Sequence, residues 1–334
     1  MAVELVHVPI RSKVLEGNAP GDPVDREVAV LLPPGYRGSE TAYPVIHVLA
    51  SYLSEGATLL NHRPFAPGLR ERLEGLMDSG AMPPAIVALP NCFTRYGGSQ
   101  YLNSTATGRY EDHLVDEVIP AIDAHFRTLA SPENRACIGR SSGGYGALRI
   151  AMLRPDTWGA VACMSGDAYF EYVYLPEFPR ACDWIRPHGS AEAFLSAWEA
   201  LPNREGPEVV ALNIIAMSAC YSPVADDPQR RGAFDLPFDL ETGELRVGVW
   251  ERWLGHDPVR MVSGHADALK ALRFLHLECG DADEYHLHHG ARVLSARLHD
   301  FGVPHKHEEY SGGHRGGSWR FDRVLPAISR AIQP

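Results

Sequence analysis

Five consecutive residues, Gly139-Arg140-Ser141-Ser142-Gly143, carry the spacing G-x-S-x-G, and Gly144 extends the glycine run. A strand-like stretch, Ala136 to Ile138, leads into them, and helical periodicity resumes directly after them. In that context the turn is too tight for side chains two residues before and after the serine, which is held strained at a helix N-terminus. A glycine-rich helix start that binds phosphate, or merely turns the chain, is the alternative; the strand before and the helix after favour a nucleophile. A serine hydroxyl is too weak an acid to attack an ester unaided. It needs a base to take its proton and a carboxylate to fix the tautomer of that base.

Of the 16 histidines, His314 alone combines a position just after a strand-like run with flanking glycines, in Ser311-Gly312-Gly313-His314. His305 and His307 alternate along a strand, and His286, His288 and His289 sit at a helix start, so edge or solvated positions are their ordinary readings. No acidic or cysteine partner at ligand spacing supports a metal site there. For the carboxylate, the run Leu272 to Cys279 ends in Gly280-Asp281-Ala282-Asp283-Glu284. Spacing puts Asp283 modestly ahead of Asp281, which hugs the strand, and of Glu284, which suits a helix N-terminus. Two backbone N–H donors must hold the oxyanion. Ser142 supplies one, and the loop after Pro44 to Ala50 supplies the other, from Tyr52 or alternatively Leu53.

The elements that position these residues are of α/β type: strand-like runs alternate with helical periodicity from about residue 25 onward, the pattern of a mostly parallel sheet flanked by helices. Strands are expected at Glu27 to Leu32, Pro44 to Ala50, Ala85 to Leu89, Trp158 to Met164, Leu272 to Cys279 and Pro304 to Tyr310. A helix from Tyr110 to Phe126 should bend at Pro120, and the last one, carrying Phe321 to Ile332, should kink or start late at Pro326. The chain reads as one domain over 1–334. Residues 166–268, rich in Tyr, Phe and Trp, form a mainly helical insertion or lid whose aromatics mostly make a small core of their own. Tyr96, Tyr101, Tyr169 and Tyr172 are the candidate substrate contacts.

Lys and Arg number 31 against 42 Asp and Glu, a net charge of −11, which argues against nucleic acid and anionic membranes as partners. No spanning-length apolar run occurs. The first residues lack the basic and apolar regions of a secretory signal, so a cytoplasmic location is expected. Six scattered cysteines without a C-x-x-C pair suggest buried thiols.

The chain resembles the putative esterase family of α/β-hydrolases, with its S-formylglutathione hydrolases, enterochelin esterases and feruloyl esterases. The likeness runs from Leu15-Glu16-Gly17-Asn18 and Leu32-Pro33-Pro34-Gly35-Tyr36 to the final helix. It is strongest in Arg95 to Ser104, Asp116-Glu117-Val118-Ile119-Pro120 and Gly139 to Gly146. The resemblance implies an α/β-hydrolase fold, places the acid of a G-x-x-D turn on Asp283, and places the base on His314. Two departures stand out: Ala50-Ser51 replaces the usual His-Gly, and Arg315-Gly316-Gly317-Ser318 separates His314 from Trp319. The expected chemistry is hydrolysis of a small to medium acyl or aryl ester without metal or other cofactor. An acyltransferase using the same acyl-enzyme is the alternative, with a non-catalytic binding protein behind it. A homodimer is left open.

Overall fold

The computed structural model describes residues 2–62, 65–224 and 232–334. Two strands open the chain, β1 (Glu4–Arg11) and β2 (Asp25–Leu32), followed by β3 (Val45–Leu49), α1 (Leu69–Asp78) and β4 (Ile86–Leu89). A two-strand hairpin, β5 (Asn103–Ser104) and β6 (Gly108–Arg109), leads into α2 (Tyr110–Asp112), a π-helical turn (His113–Val118) and α3 (Ile119–His125). Next come β7 (Arg135–Arg140), α4 (Ser142–Leu153) and β8 (Ala160–Met164). Among the described residues, six α-helices then intervene: α5 (Phe170–Val173), α6 (Phe178–Ile185), α7 (Ala191–Glu199), α8 (Val209–Tyr221), α9 (Val247–Leu254) and α10 (Pro258–Lys270). The chain closes with β9 (Phe274–Gly280), α11 (Leu287–Asp300), β10 (Lys306–Tyr310) and α12 (Phe321–Ala331).

Eight strands form one sheet in the order β1-β2-β4-β3-β7-β8-β9-β10. The β1/β2 and β2/β4 pairs are antiparallel, and every pair from β4 to β10 is parallel. Because β3, β4 and β8 are buried along their whole length, they read as nearly continuous apolar runs, whereas the edge strand β10, KHEEY, is charged and partly exposed. Alternate residues go to opposite layers. Val45, Leu49, Ile86, Ala88 and Cys137 join the core with α4, α10 and α11, whereas Ile46, Val48, Val87, Leu89, Ala136 and Ile138 join the core under α1 and α12. The pairs Leu49 with Gly139, Gly139 with Cys163, Met164 with Glu278, and Gly280 with Tyr310 line up the carboxyl ends of β3, β7, β8, β9 and β10 along one edge. Every loop expected to carry chemistry leaves from that edge.

Strand β1 was not foreseen. Its sequence ELVHVPIR holds charges and Pro9, tolerated because the strand lies at the sheet edge. The long helix expected from Tyr110 is broken by winding, since the Ile119 amide bonds five residues back to Leu114 just ahead of Pro120, opening the turn that the proline ring would crowd. Helix α12 starts at Phe321 with Pro326 inside it, so the late start does not occur. Between β8 and β9, residues 225–231 of the expected insertion lie outside the described residues; the remainder is mainly helical, and its aromatics form a core that is not theirs alone but shared with Tyr96, Tyr145 and Leu287 of other elements. There Trp253 meets the rings of Tyr174, Phe178 and Tyr221 at centroid distances of 5.3–5.5 Å. All six cysteines are buried and free. No helix among the described residues is long and apolar enough to cross a membrane.

Candidate active site

Ser141 occupies the turn between β7 and α4 with φ 54° and ψ −128°, a conformation that an L-residue holds only when its surroundings impose it. The surroundings do so. Its amide donates to the Met164 carbonyl of β8 at 2.9 Å, and its carbonyl accepts the Tyr145 amide of α4 at 3.0 Å. A Cβ on Gly139 would stand 2.3 Å from the Gly143 carbonyl carbon, and one on Gly143 would stand 2.3 Å from the Leu49 carbonyl oxygen. Helix and sheet thus approach closer than any side chain allows, and the serine is left at the apex.

Across the edge, His314 Nδ1 lies 2.8 Å from Asp283 Oδ2. Asp283 is buried, and its other oxygen accepts the Tyr285 amide at 2.9 Å. Burial pushes this carboxyl up, but the hydrogen bond and charge of His314, with the Tyr285 amide and the Cys279 thiol, outweigh it and hold the group below its ordinary value. Facing a carboxylate, Nδ1 is the ring nitrogen that donates. Tyr285 braces the ring edge-on at a centroid distance of 5.0 Å.

The three carboxylates of this turn are sorted by partner. Asp283 takes the imidazole, Asp281 accepts the Gly312 amide at 3.1 Å, and Glu284 accepts the His314 amide at 2.5 Å. The expectation that Glu284 serves a helix start is thereby corrected, because its carboxylate reaches back to the histidine loop. At the other end of the same residue, Arg140 donates to the His314 carbonyl at 2.5 Å. The histidine backbone is therefore gripped on both sides, by the neighbour of Ser141 and the neighbour of Asp283. Neither grip was evident from sequence.

Ser141 and His314 line one cavity of about 530 Å³, within the usual range for small-molecule sites. Among the described residues no hydrogen bond joins the Ser141 hydroxyl to the imidazole. Ser142 and Tyr52 line the same cavity, and the described residues offer their amides no acceptor. The Leu53 amide already donates to the Gly97 carbonyl at 2.8 Å, which removes it as a free donor. In place of the His-Gly of relatives, the Ser51 hydroxyl donates to the Arg140 carbonyl at 3.0 Å and ties the loop to the nucleophile turn.

None of the four tyrosines expected to contact substrate lines this cavity. Tyr101 is buried with its hydroxyl on the Ala50 carbonyl at 2.7 Å, and Tyr96 lines a separate hollow of about 650 Å³ with Phe234, Phe238 and Arg246. Tyr169 and Tyr172 pack edge to face at 4.8 Å, with Tyr172 also against His289. The cavity is instead walled by Val173, Tyr174, Val209, Val210, Tyr285 and Leu287, with Asp167 among its polar groups. Elsewhere, His276, Glu278 and Glu308 bring ligand-type atoms within 4.8 Å of one another. There Arg320 already supplies a cation, donating to Glu278 at 2.6 Å and Glu308 at 3.1 Å.

A parallel sheet whose carboxyl edge bears a strained serine, an acid and a histidine in that chain order defines the α/β-hydrolase fold. Solved structures agree. The fold matches a ferulic acid esterase with a TM-score of 0.62, at 19% identity and 99% coverage of both chains. It matches the S-formylglutathione hydrolase of Staphylococcus aureus with a TM-score of 0.59, at 15% identity and 100% coverage of both. Residues 23–330 match the family model described as putative esterase, and the chain belongs to that family. Over 163 residues it is 30% identical to the endo-1,4-beta-xylanase/feruloyl esterase of Xylanibacter ruminicola, a match covering 47% of this chain and 21% of that protein. The chain thus spans about a fifth of the length of this curated relative.

Proposed function

We propose that the chain hydrolyses carboxylic esters through an acyl-enzyme on Ser141, with His314 as base and then acid, and Asp283 as the group that orients it. The observation that carries this reading is the 2.8 Å bond between Asp283 and His314 beside a cavity that also holds the strained Ser141. His314 Nε2 takes the proton as Ser141 Oγ adds to the carbonyl carbon, and the amides of Ser142 and Tyr52 receive the oxyanion. The ester C–O bond then breaks and the imidazolium returns its proton to the departing alcohol. Water, deprotonated by the same ring, repeats the addition and releases the acid.

Valine and leucine walls suit a small to medium ester with an apolar or aryl group. Val173, Tyr174, Val209, Val210 and Asn213 come from the segment between β8 and β9, which supports a single α/β-hydrolase domain whose insertion walls the site. Six buried thiols free of disulfides support a reducing, cytoplasmic setting. Fluorophosphonate labelling combined with turnover of p-nitrophenyl acetate, a feruloyl ester and a glutathione thioester tests the proposal. Labelling should map to Ser141. An unlabelled serine and no turnover would return the chain to a binding role, and acyl transfer to added alcohol in preference to water would make it an acyltransferase.

A further inference from the structure

Asp167 follows β8 and lines the cavity that holds Ser141 and His314, with only 8% of its surface exposed. A carboxylate so placed ordinarily has a cation beside it. Asp167 has none within ion-pair distance among the described residues. Its Oδ2 accepts from Gln100 Nε2 and from the Tyr174 hydroxyl, both at 2.9 Å, and Gln100 Nε2 donates also to the Tyr221 hydroxyl at 2.8 Å. Its Oδ1 accepts from none of the described residues. Burial, aided by the charge of Asp283, pushes the carboxyl up and outweighs the donors Gln100 and Tyr174 and the pull of His314. Gln100 itself is held at φ 49°, in the left-handed region that a non-glycine residue seldom occupies.

An acceptor left open inside a binding cavity calls for a donor from the ligand. Arg140, Arg180 and Arg315 line the same cavity and outnumber its acids, Asp167 and Glu177, the latter paired with Arg180 at 2.8 Å, so a cationic guest is disfavoured. An uncharged hydroxyl meets both conditions. Resting on the ester-hydrolase reading above, we infer that Asp167 is a specificity-determining residue that selects esters bearing a free hydroxyl, which its Oδ1 accepts.

Two matched pairs test this and locate the hydroxyl. Methyl phenylpropanoate against its ring-hydroxylated counterpart probes the acyl side, and propyl acetate against propanediol monoacetate probes the alcohol side. The wild-type chain should favour the hydroxylated member of one pair by about tenfold or more in kcat/KM. Asp167→Ala should bring that ratio close to one, and Asp167→Asn, whose carbonyl still accepts, should keep part of it. A wild-type ratio near one in both pairs overturns the inference, with or without a folded alanine variant. So does a preference that survives Asp167→Ala, or an equal loss on both members of a pair, which would make the acid a packing element. Failure of the wild-type chain to cleave any of the four esters or to label with fluorophosphonate removes the hydrolase reading itself, and the selectivity with it.

Discussion

The two sides of the cavity are built by opposite means. On one side, Gly139, Ser141 and Gly143 are held by backbone alone, with sheet and helix so close that a single Cβ would collide at 2.3 Å. On the other, the segment between β8 and β9 contributes Val173, Tyr174, Val209 and Val210, held by an aromatic core around Trp253 in which ring meets ring at ordinary packing distance. Backbone geometry is insensitive to what the substrate is, whereas side-chain packing can be refilled with other shapes. The difference teaches that reactivity and selection are separable in this molecule, and mutations can test how far.

The deepest cut is on the backbone-held side. Ser141→Ala should lower p-nitrophenyl acetate turnover by about 10⁵-fold or more with an unchanged thermal midpoint. Asp283→Asn should cost about 10⁴-fold in kcat, because the ring loses its imposed tautomer, while Asp281→Asn, which disturbs only the Gly312 amide, should cost less than about tenfold. On the packed side, Trp253→Ala should destabilise the chain by about 3–5 kcal/mol in urea unfolding, through a cavity and through loss of its indole bond to the Ser222 hydroxyl. Equal rate loss from this change on small and bulky esters would break the comparison, since the wall would then be serving chemistry and not shape. Arg140→Met should reduce kcat about 10- to 100-fold with KM little changed, by freeing the His314 carbonyl, and Arg140→Lys should restore part of the rate.

The smallest effect sharpens the contrast through pH. Asp283, held below its ordinary value, adds stability that is complete above about pH 4 and is lost as pH falls through its lowered folded value. Asp167, held above it by burial, acts with opposite sign: its contribution is complete below about pH 4 and is lost as pH rises through its raised value. Thermal midpoints measured across the acid range should therefore show Asp283→Asn flattening the low-pH limb and Asp167→Asn flattening the loss above it. Parallel curves for both variants would contradict the opposed environments.

What the sequence disclosed follows the same division. The serine turn was legible because its demands are local, two glycines at fixed offsets between a strand and a helix. The inner parallel strands β3, β4 and β8 were legible because burial on both faces leaves nearly unbroken apolar runs. The grip of Arg140 and Glu284 on His314 was not, since nothing about an arginine at a strand end or a glutamate in a loop announces a backbone carbonyl or amide more than a hundred or about thirty positions away. The four tyrosines misled for a related reason. An aromatic near a site in sequence is as useful to the core as to a ligand, and Tyr101 spends its hydroxyl on Ala50 while Tyr169 and Tyr172 spend their faces on each other. Asp167 escaped notice because an acid after a strand carries no signal until its lack of a counter-ion is visible in space.

The double hold on His314 has a consequence for anyone who would re-engineer the chain. Three segments far apart in the gene are keyed to one another through the backbone of a single residue, so a histidine-bearing loop borrowed from a relative would arrive without its matching anchors. The transplantable part is the set of three segments, arginine and glutamate included, and not any one of them alone.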